Sequence, residues 1–385
     1  MSLPCRRNGE CVGLKRNCYF IGTPLGSLSI MKQFEALAHE LADRGHQVVI
    51  LAPHRRVDLA RPHDNPAVLI WPSERPTRWR DAWYLYKLIR RYRPDCLVAS
   101  FAAVNIMMLV GWITRVPRRI AWYHTLSTAI NLDSNMPRWK LRLLRLRKKL
   151  VYRLCTQIVP VSQAASDDLQ VTYGVPAHKL CLFRNVVADP VIPIPTNGDD
   201  RLQHHVVCIG RLAPCKGQDI LIRAAALLQE ARVSFHVEFI GDGPARDSYT
   251  RLACDLGVAD RCVFAGILGH DEVLKRMRRA TVSVLPSRSD NCPLVTIESL
   301  AVGTPVLASR VGGIPEVIRD GVDGFLVAPE DPQALASRLS SLLTNEDLVR
   351  QLRANARAGF LARFEQAQEI QGQAEWLESL FPTSL

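Results

Sequence analysis

The chain has 385 residues, 48% hydrophobic and 22% charged, a composition that suits a globular protein of two ordinary domains and excludes disordered and fibrous classes. Its formal net charge of +12 calls for an anionic partner, whether phosphate-bearing ligands, an acidic membrane surface or nucleic acid. No run approaches the roughly 18 uninterrupted apolar residues of a membrane span.

Cys18 to Gly22 reads as a first strand, and Thr23-Pro24-Leu25-Gly26-Ser27 turns into a helix with apolar positions at Ile30, Met31, Phe34, Leu37, Ala38 and Leu41. Before it, Met1 to Lys15 lacks the apolar core of a signal peptide, and the eleven cysteines read as reduced core thiols, so a cytoplasmic chain is expected. Gly45-His46 closes the helix and Val48 to Leu51 forms a second strand, giving a βαβ unit of dinucleotide-fold type. The loop has one glycine rather than G-x-G-x-x-G, which argues against NAD and leaves backbone able to approach a phosphate or an acceptor hydroxyl.

Alternation continues with a helix over Trp79 to Tyr92, a strand over Cys96 to Ser100, a helix over Val104 to Ile113 and a strand over Arg119 to Tyr123. His124 sits just past that last strand, on the same edge as the glycine loop. Arg138 to Arg153 then carries eight Lys or Arg and no acid, interleaved with apolar residues. Two readings of it stay open: a solvated face whose apolar back packs on the first domain, or a patch resting on an anionic membrane. A strand over Ile158 to Val161, a helix over Ala164 to Tyr173 and a strand over Lys179 to Phe183 follow. Three prolines and Asn197-Gly198-Asp199-Asp200 mark residues 189–203 as a linker.

A second series begins with the strand His205 to Ile209, the loop Gly210-Arg211-Leu212-Ala213-Pro214-Cys215-Lys216-Gly217 and a helix from Gln218. Arg211 and Lys216 on that loop can clamp a diphosphate and stabilise the charge that grows on it as a leaving group. Further on come the loop Gly241-Asp242-Gly243-Pro244 and the strand Thr281 to Leu285, then Asp290 on a loop, a helix beginning near Pro293, and Glu298 about two turns along it. One carboxylate can reach a sugar and the other a ribose, while the helix N-terminus between them suits a diphosphate. No D-x-D triplet occurs, so no metal site and no cofactor are expected. The fold class expected is α/β, two doubly wound Rossmann-like domains facing across a cleft.

Gly210-Arg211 with Lys216-Gly217, Gly241-Asp242-Gly243-Pro244, Asp290 and Glu298 with Gly303-Thr304-Pro305, and Gly312-Gly313 together resemble family 4 of the GT-B glycosyltransferases. The resemblance is looser in the first domain, where Gly26, Arg44-Gly45-His46, His124 and Val159-Pro160-Val161-Ser162 carry it. It implies retaining, metal-independent transfer of a sugar from a nucleotide donor to an acceptor hydroxyl. Gly26, Arg211, Lys216, Gly243, Asp290, Pro293, Leu294, Val295 and Glu298 would then bind the donor. Gly26, Ser27 and His124 would hold the acceptor, with Asp290, His124, Arg211 and Lys216 at the reacting centre. Residues 1–188 would form the acceptor domain and 204–365 the donor domain, with a C-terminal helix in 366–385 packing back on the first. Asp290 stands where the commoner pattern has Glu, and Ser27 where it has a second Gly.

Polysaccharide, lipopolysaccharide or glycolipid synthesis at the inner face of a membrane is the expected setting, with no nucleic-acid partner. A sugar-nucleotide epimerase on a similar scaffold and a non-catalytic protein for anionic lipid or nucleic acid are the alternatives. The first would need further acid-base residues in the cleft. The second would leave Asp290, Glu298, Arg211 and Lys216 idle.

Overall fold

The computed structural model describes residues 16–23, 28–53, 64–134, 136–190 and 202–381. The first half runs β1 (Cys18–Gly22), α1 (Leu28–Asp43), β2 (Gln47–Ala52), β3 (Ala67–Ile70), α2 (Trp79–Tyr92), β4 (Cys96–Ser100) and α3 (Ala103–Ile113). It continues with β5 (Arg118–Tyr123), α4 (Ser127–Asp133), α5 (Arg138–Leu154), β6 (Gln157–Pro160) and α6 (Gln163–Tyr173). The second half begins with β7 (His205–Ile209), a 3-10 turn at Pro214–Lys216, α7 (Gln218–Glu230), β8 (His236–Ile240), α8 (Arg246–Asp255), β9 (Cys262–Gly266) and α9 (His270–Arg279). Then follow β10 (Val282–Leu285), α10 (Leu294–Ala301), β11 (Val306–Ser309), α11 (Ile314–Val317), β12 (Gly324–Val327), α12 (Pro332–Thr344), α13 (Glu346–Arg363) and α14 (Gln366–Ser379).

These elements build two parallel six-stranded sheets, ordered β3-β2-β1-β4-β5-β6 and β12-β11-β10-β7-β8-β9. Numbered within its own half, each sheet has the order 3-2-1-4-5-6, the doubly wound arrangement expected from the alternating pattern. The central strands β1, β4 and β10 are buried along their whole length, because helices cover both faces and every side chain meets core. In such sheets the chain leaves neighbouring strands in opposite directions at the switch point. There a crevice opens at the strands' carboxyl ends, between β1 and β4 in one sheet and between β7 and β10 in the other.

The halves share one apolar cluster. It runs from Tyr19, Phe34 and Trp122 in the first half to Ile297, Phe360 and Leu377 in the second. The C-terminal α14 lies on α1, where Glu378 accepts from Arg44 Nη1 at 3.1 Å and meets His46 Nε2 at 2.8 Å.

One expected strand is absent. Over Lys179 to Phe183 the Cys181 and Phe183 N–H groups donate to the carbonyls of Ile158 and Pro160 on β6, but only the Ile158 to Leu180 bridge forms. Pro160 has no N–H to return the next bond, so the ladder stops. The sequence reading also passed over β3, α4, α11 and β12, all of seven residues or fewer. Of these α4 matters most, because it enters the cleft.

Candidate active site

At the switch point of the second sheet, the loop after β7 and the loop after β10 lie against each other. Gly217 permits the approach: its φ is +67°, and a Cβ there would stand 2.1 Å from the Pro286 carbonyl oxygen. Lys216 Nζ consequently reaches Asp290 Oδ2 at 2.6 Å. Ser287 Oγ donates to the same oxygen at 3.2 Å, and the Asn291 N–H donates to Oδ1 at 3.1 Å. Burial opposes the charge on Lys216, but the field and hydrogen bond of Asp290 outweigh it and hold the ammonium above its usual pKa. Gly312 and Gly313 support the Asp290 loop from below, the Gly313 N–H donating to the Asp290 carbonyl at 3.3 Å.

The first domain closes the other side. His124 leaves β5 into the cleft, half-buried beneath Phe101, whose ring stacks on it at 4.7 Å. Neither imidazole nitrogen has a hydrogen-bond partner. Burial of both nitrogens drives its pKa down to about 3, only partly opposed by the neighbouring Asn185 amide, so the ring is neutral and its nitrogens are unpaired. Asn185 has an unpartnered buried Oδ1, while its Nδ2 donates to the Cys292 carbonyl of the second domain at 2.9 Å.

Helix α4 crosses the cleft. Its first turn is held by Asp168, which accepts from the Ser127 N–H at 2.7 Å, Ser127 Oγ at 2.6 Å and Tyr123 Oη at 2.6 Å. At its other end Asp133 pairs with the Arg211 guanidinium and accepts from the Cys215 N–H at 3.0 Å. The Cys215 thiol, pushed up to about 12 by burial and by Asp133, also donates to that carboxylate. Thr128 Oγ1 bonds Ser289 Oγ of the second domain at 2.6 Å. A cavity of about 400 Å³ remains, lined by His124, Asp133, Arg211, Lys216, Asp290 and neighbouring residues. Among the described residues no group of three or more His, Cys, Asp or Glu is arranged to hold a metal ion.

Glu298 lies apart from that cavity. It is buried on α10, accepts from Ser29 Oγ of the first domain at 2.5 Å, and has His270 Nδ1 at 3.9 Å. Ser29 and His270 line a second interdomain cavity of about 400 Å³. Between Asp290 and Glu298, Pro293, Leu294 and Val295 form the entry to α10, whose first N–H groups have no partner within the helix. The structure thus gathers His124, Arg211, Lys216 and Asp290 around one cavity and sets Glu298 beside another, with the α10 N-terminus between the two carboxylates.

Gly26 and Ser27 lie outside the described residues. Gly243 has a structural reason to be glycine, since a Cβ there would stand 2.3 Å from the Leu212 carbonyl oxygen on the loop that carries Arg211. The sequence reading missed Asp133, Asn185, Ser29 and His270. The short run Ser127 to Asp133 between two readable elements was the available signal for Asp133.

Two family models divide the chain: "Glycosyltransferase Family 4" matches residues 32–189 and "Glycosyl transferases group 1" matches residues 197–359. The chain belongs to the family 4 glycosyltransferases. Among curated relatives, the D-inositol 3-phosphate glycosyltransferase of Acidothermus cellulolyticus is 42% identical over 148 residues, covering 36% of this chain and 33% of that protein. The enzyme of the same name from Mycolicibacterium vanbaalenii is 37% identical over 202 residues, 49% of this chain and 43% of that one. The matches therefore span about a third to two fifths of those relatives' length.

Solved structures carry the same fold at low identity. Sucrose-phosphate synthase from Thermosynechococcus elongatus superposes with a TM-score of 0.78 at 19% identity, over 96% of this chain and 100% of that one. Anabaena HepE in complex with UDP and glucose gives 0.76 at 19%, over 94% and 100%. The architecture of this family 4 chain is accordingly GT-B, two Rossmann-like domains about a cleft.

Proposed function

We propose that the protein transfers a sugar from a nucleotide-sugar donor to an acceptor hydroxyl, with retention of configuration and without a divalent metal. The observation that carries this reading is the Lys216 to Asp290 pair, 2.6 Å apart at the second switch point, with Arg211 on one side and His124 facing it from the first domain. A diphosphate meets Lys216, Arg211 and the α10 N-terminus, which oppose the charge that develops as the bond to the sugar breaks. Asp290 accepts from hydroxyls of the transferred sugar, and Glu298 accepts from the ribose. His124, neutral and unpartnered, hydrogen-bonds a sugar or acceptor hydroxyl and positions it rather than acting as an acid.

A nucleoside diphosphate of the kind found in the HepE complexes suits this arrangement. In this reading residues 1–188 hold the acceptor, 204–365 hold the donor, 189–203 link them, and 366–385 return to the first domain. The acceptor belongs to polysaccharide, lipopolysaccharide or glycolipid synthesis, and residues 138–154 rest on an anionic membrane at its inner face. The eight cations of that helix support the membrane partner. No helix among the described residues is long and apolar enough to cross a membrane.

The test is a thermal-shift and hydrolysis screen of nucleotide sugars, with and without a chelator, on the wild type, Lys216→Ala and Glu298→Ala. One donor should stabilise the wild type and be slowly hydrolysed, chelator or not, with both effects lost in the variants. Failure of every nucleotide sugar to bind overturns the reading, and epimerisation of a donor without acceptor replaces it with the epimerase.

A further inference from the structure

The chain has seven tryptophans, and they divide by location. Trp71 and Trp122 are buried and Trp376 is half-buried against the shared core. The other four are exposed: Trp79 by 81%, Trp83 by 49%, Trp112 by 55% and Trp139 by 62%. All four stand on α2, α3 and α5, with α3 in contact with both of the others. The three helices therefore form one outer layer over the first sheet.

Helix α2 turns Trp79 and Trp83 outward, and α3 and α5 each carry an outward apolar stripe. On α3, Leu109, Trp112 and Ile113 are spaced i, i+3, i+4 and are all exposed. On α5, Trp139, Leu143, Leu146 and Leu150 follow the same face over three turns, and all are at least half exposed. Helical apolar spacing ordinarily marks the side packed on a core, yet the one buried residue of α5 is Tyr152. The apolar back expected from the sequence does pack on the first domain, through Val151, Tyr152 and Leu154, so the stripe from Trp139 to Leu150 is a second one that faces outward. A contiguous exposed apolar patch of this kind marks a contact surface.

Charge selects the partner. The three helices carry twelve Lys or Arg and one acid, Asp81, which is buried as the cap of α2. That is almost the whole formal net charge of +12 of the chain. Cations stand beside the exposed rings: Lys87 Nζ lies 5.4 Å from the Trp83 ring centre and Lys140 Nζ 5.3 Å from that of Trp139. Indole rings flanked by long cationic stems and aliphatic residues suit the headgroup level of an acidic bilayer. Nucleic acid would use the cations and rings but leave Ile113, Leu143 and Leu146 facing water.

We propose that α2, α3 and α5 together form an interfacial docking face that seats Trp79, Trp83, Trp112 and Trp139 among the headgroups of an anionic bilayer. This rests on the reading of residues 138–154 as a membrane surface and deepens it from adsorption by one basic helix to insertion by three. The face also has a bearing on the acceptor. Helix α5 begins shortly after Asp133 and Ser134, which line the His124 cavity, so a hydroxyl carried at the bilayer surface would meet the cleft at its mouth.

The experiment is vesicle flotation with phosphatidylcholine alone and with added phosphatidylglycerol, at low salt and at about 0.5 M salt, where charge attraction is screened within a few ångströms. Tryptophan emission is followed with brominated lipid as quencher. The wild type should float with the acidic vesicles, keep much of that binding in high salt, shift its emission to shorter wavelength and be quenched. Trp112→Ala with Trp139→Ala should weaken binding about tenfold at an unchanged melting temperature, since both rings are exposed. Arg142→Glu with Arg145→Glu should lose the preference for acidic lipid. Binding abolished by salt, with no quenching and no effect of the tryptophan variants, overturns the insertion and leaves the single-helix adsorption standing. Absence of binding to acidic vesicles, or single-stranded nucleic acid displacing them, overturns both.

Discussion

Asp133 of the first domain holds its carboxylate against the Arg211 guanidinium and the Cys215 N–H of the second, on the very loop assigned to the donor diphosphate. A carboxylate there stands in for a phosphate oxygen, with the same charge sign and the same donors. Donor binding must displace it or share Arg211 with it. Asp133→Asn removes the competing charge and keeps the shape. The expected outcome is a donor KM lowered by up to about fivefold with kcat little changed, the range of a partly exposed ion pair. Steady-state kinetics with varied donor check it, and a raised KM would place Asp133 among the substrate-binding groups instead.

The pair of Lys216 and Asp290 leads to the reverse expectation. Lys216→Ala leaves the Asp290 carboxylate with Ser287 Oγ and the Asn291 N–H alone and takes a cation from the leaving group. Activity should fall by about 100-fold or more, mainly in kcat, as for loss of a group that acts on developing charge. A Lys216→Ala, Asp290→Asn double variant should be no worse than Lys216→Ala alone, because the two act as one unit. Additive losses would mean that they act separately.

The second domain was legible because its chemistry is local. Arg211 and Lys216 share one loop, and Asp290 and Glu298 lie either side of the N-terminus of one helix, so periodicity and turn residues sufficed to place them. What distant chain segments supply was not legible. Helix α4 depends on Asp168, 41 positions away from Ser127, for its first-turn hydrogen bonds, and no residue near Ser127 announces that. Asn185 stands four residues before the expected linker, where nothing in the sequence singles it out, yet its Nδ2 donates to the Cys292 carbonyl of the second domain. The expected strand at Lys179 failed on a single missing N–H in its partner, Pro160, which the segment's own composition does not reveal. Nor does the pattern of α5 tell a stripe that packs on a core from one that is left open.

Gly312 tests how closely the Asp290 loop is held. Its φ is +51°, and an added Cβ would lie 1.8 Å from the Asp290 carbonyl oxygen, so neither backbone nor space admits a side chain. Gly312→Ala should cost about 2 kcal/mol or more of stability and displace Asp290. Thermal melts should show the loss, and donor-binding calorimetry a weakening beyond what the unfolded fraction accounts for. A variant with wild-type melting and binding would show that the loop has room to shift.

His124 gives the protein a pH dependence whose sign follows from burial. In the unfolded chain the imidazole takes a proton as pH falls through about 6.5. In the folded protein burial holds its pKa down to about 3, so the folded state remains neutral there. The unfolded state therefore binds the extra proton first, and the contribution of His124 to stability, complete above about 6.5, is lost progressively as pH falls towards 3. His124→Phe keeps an aromatic ring against Phe101 and removes the titration. Denaturant melts between pH 7 and 4 should show the wild type losing stability more steeply than the variant, while the variant binds donor and loses turnover. Equal slopes would mean that solvent reaches the ring, and that a protonated His124 is available to the reaction after all.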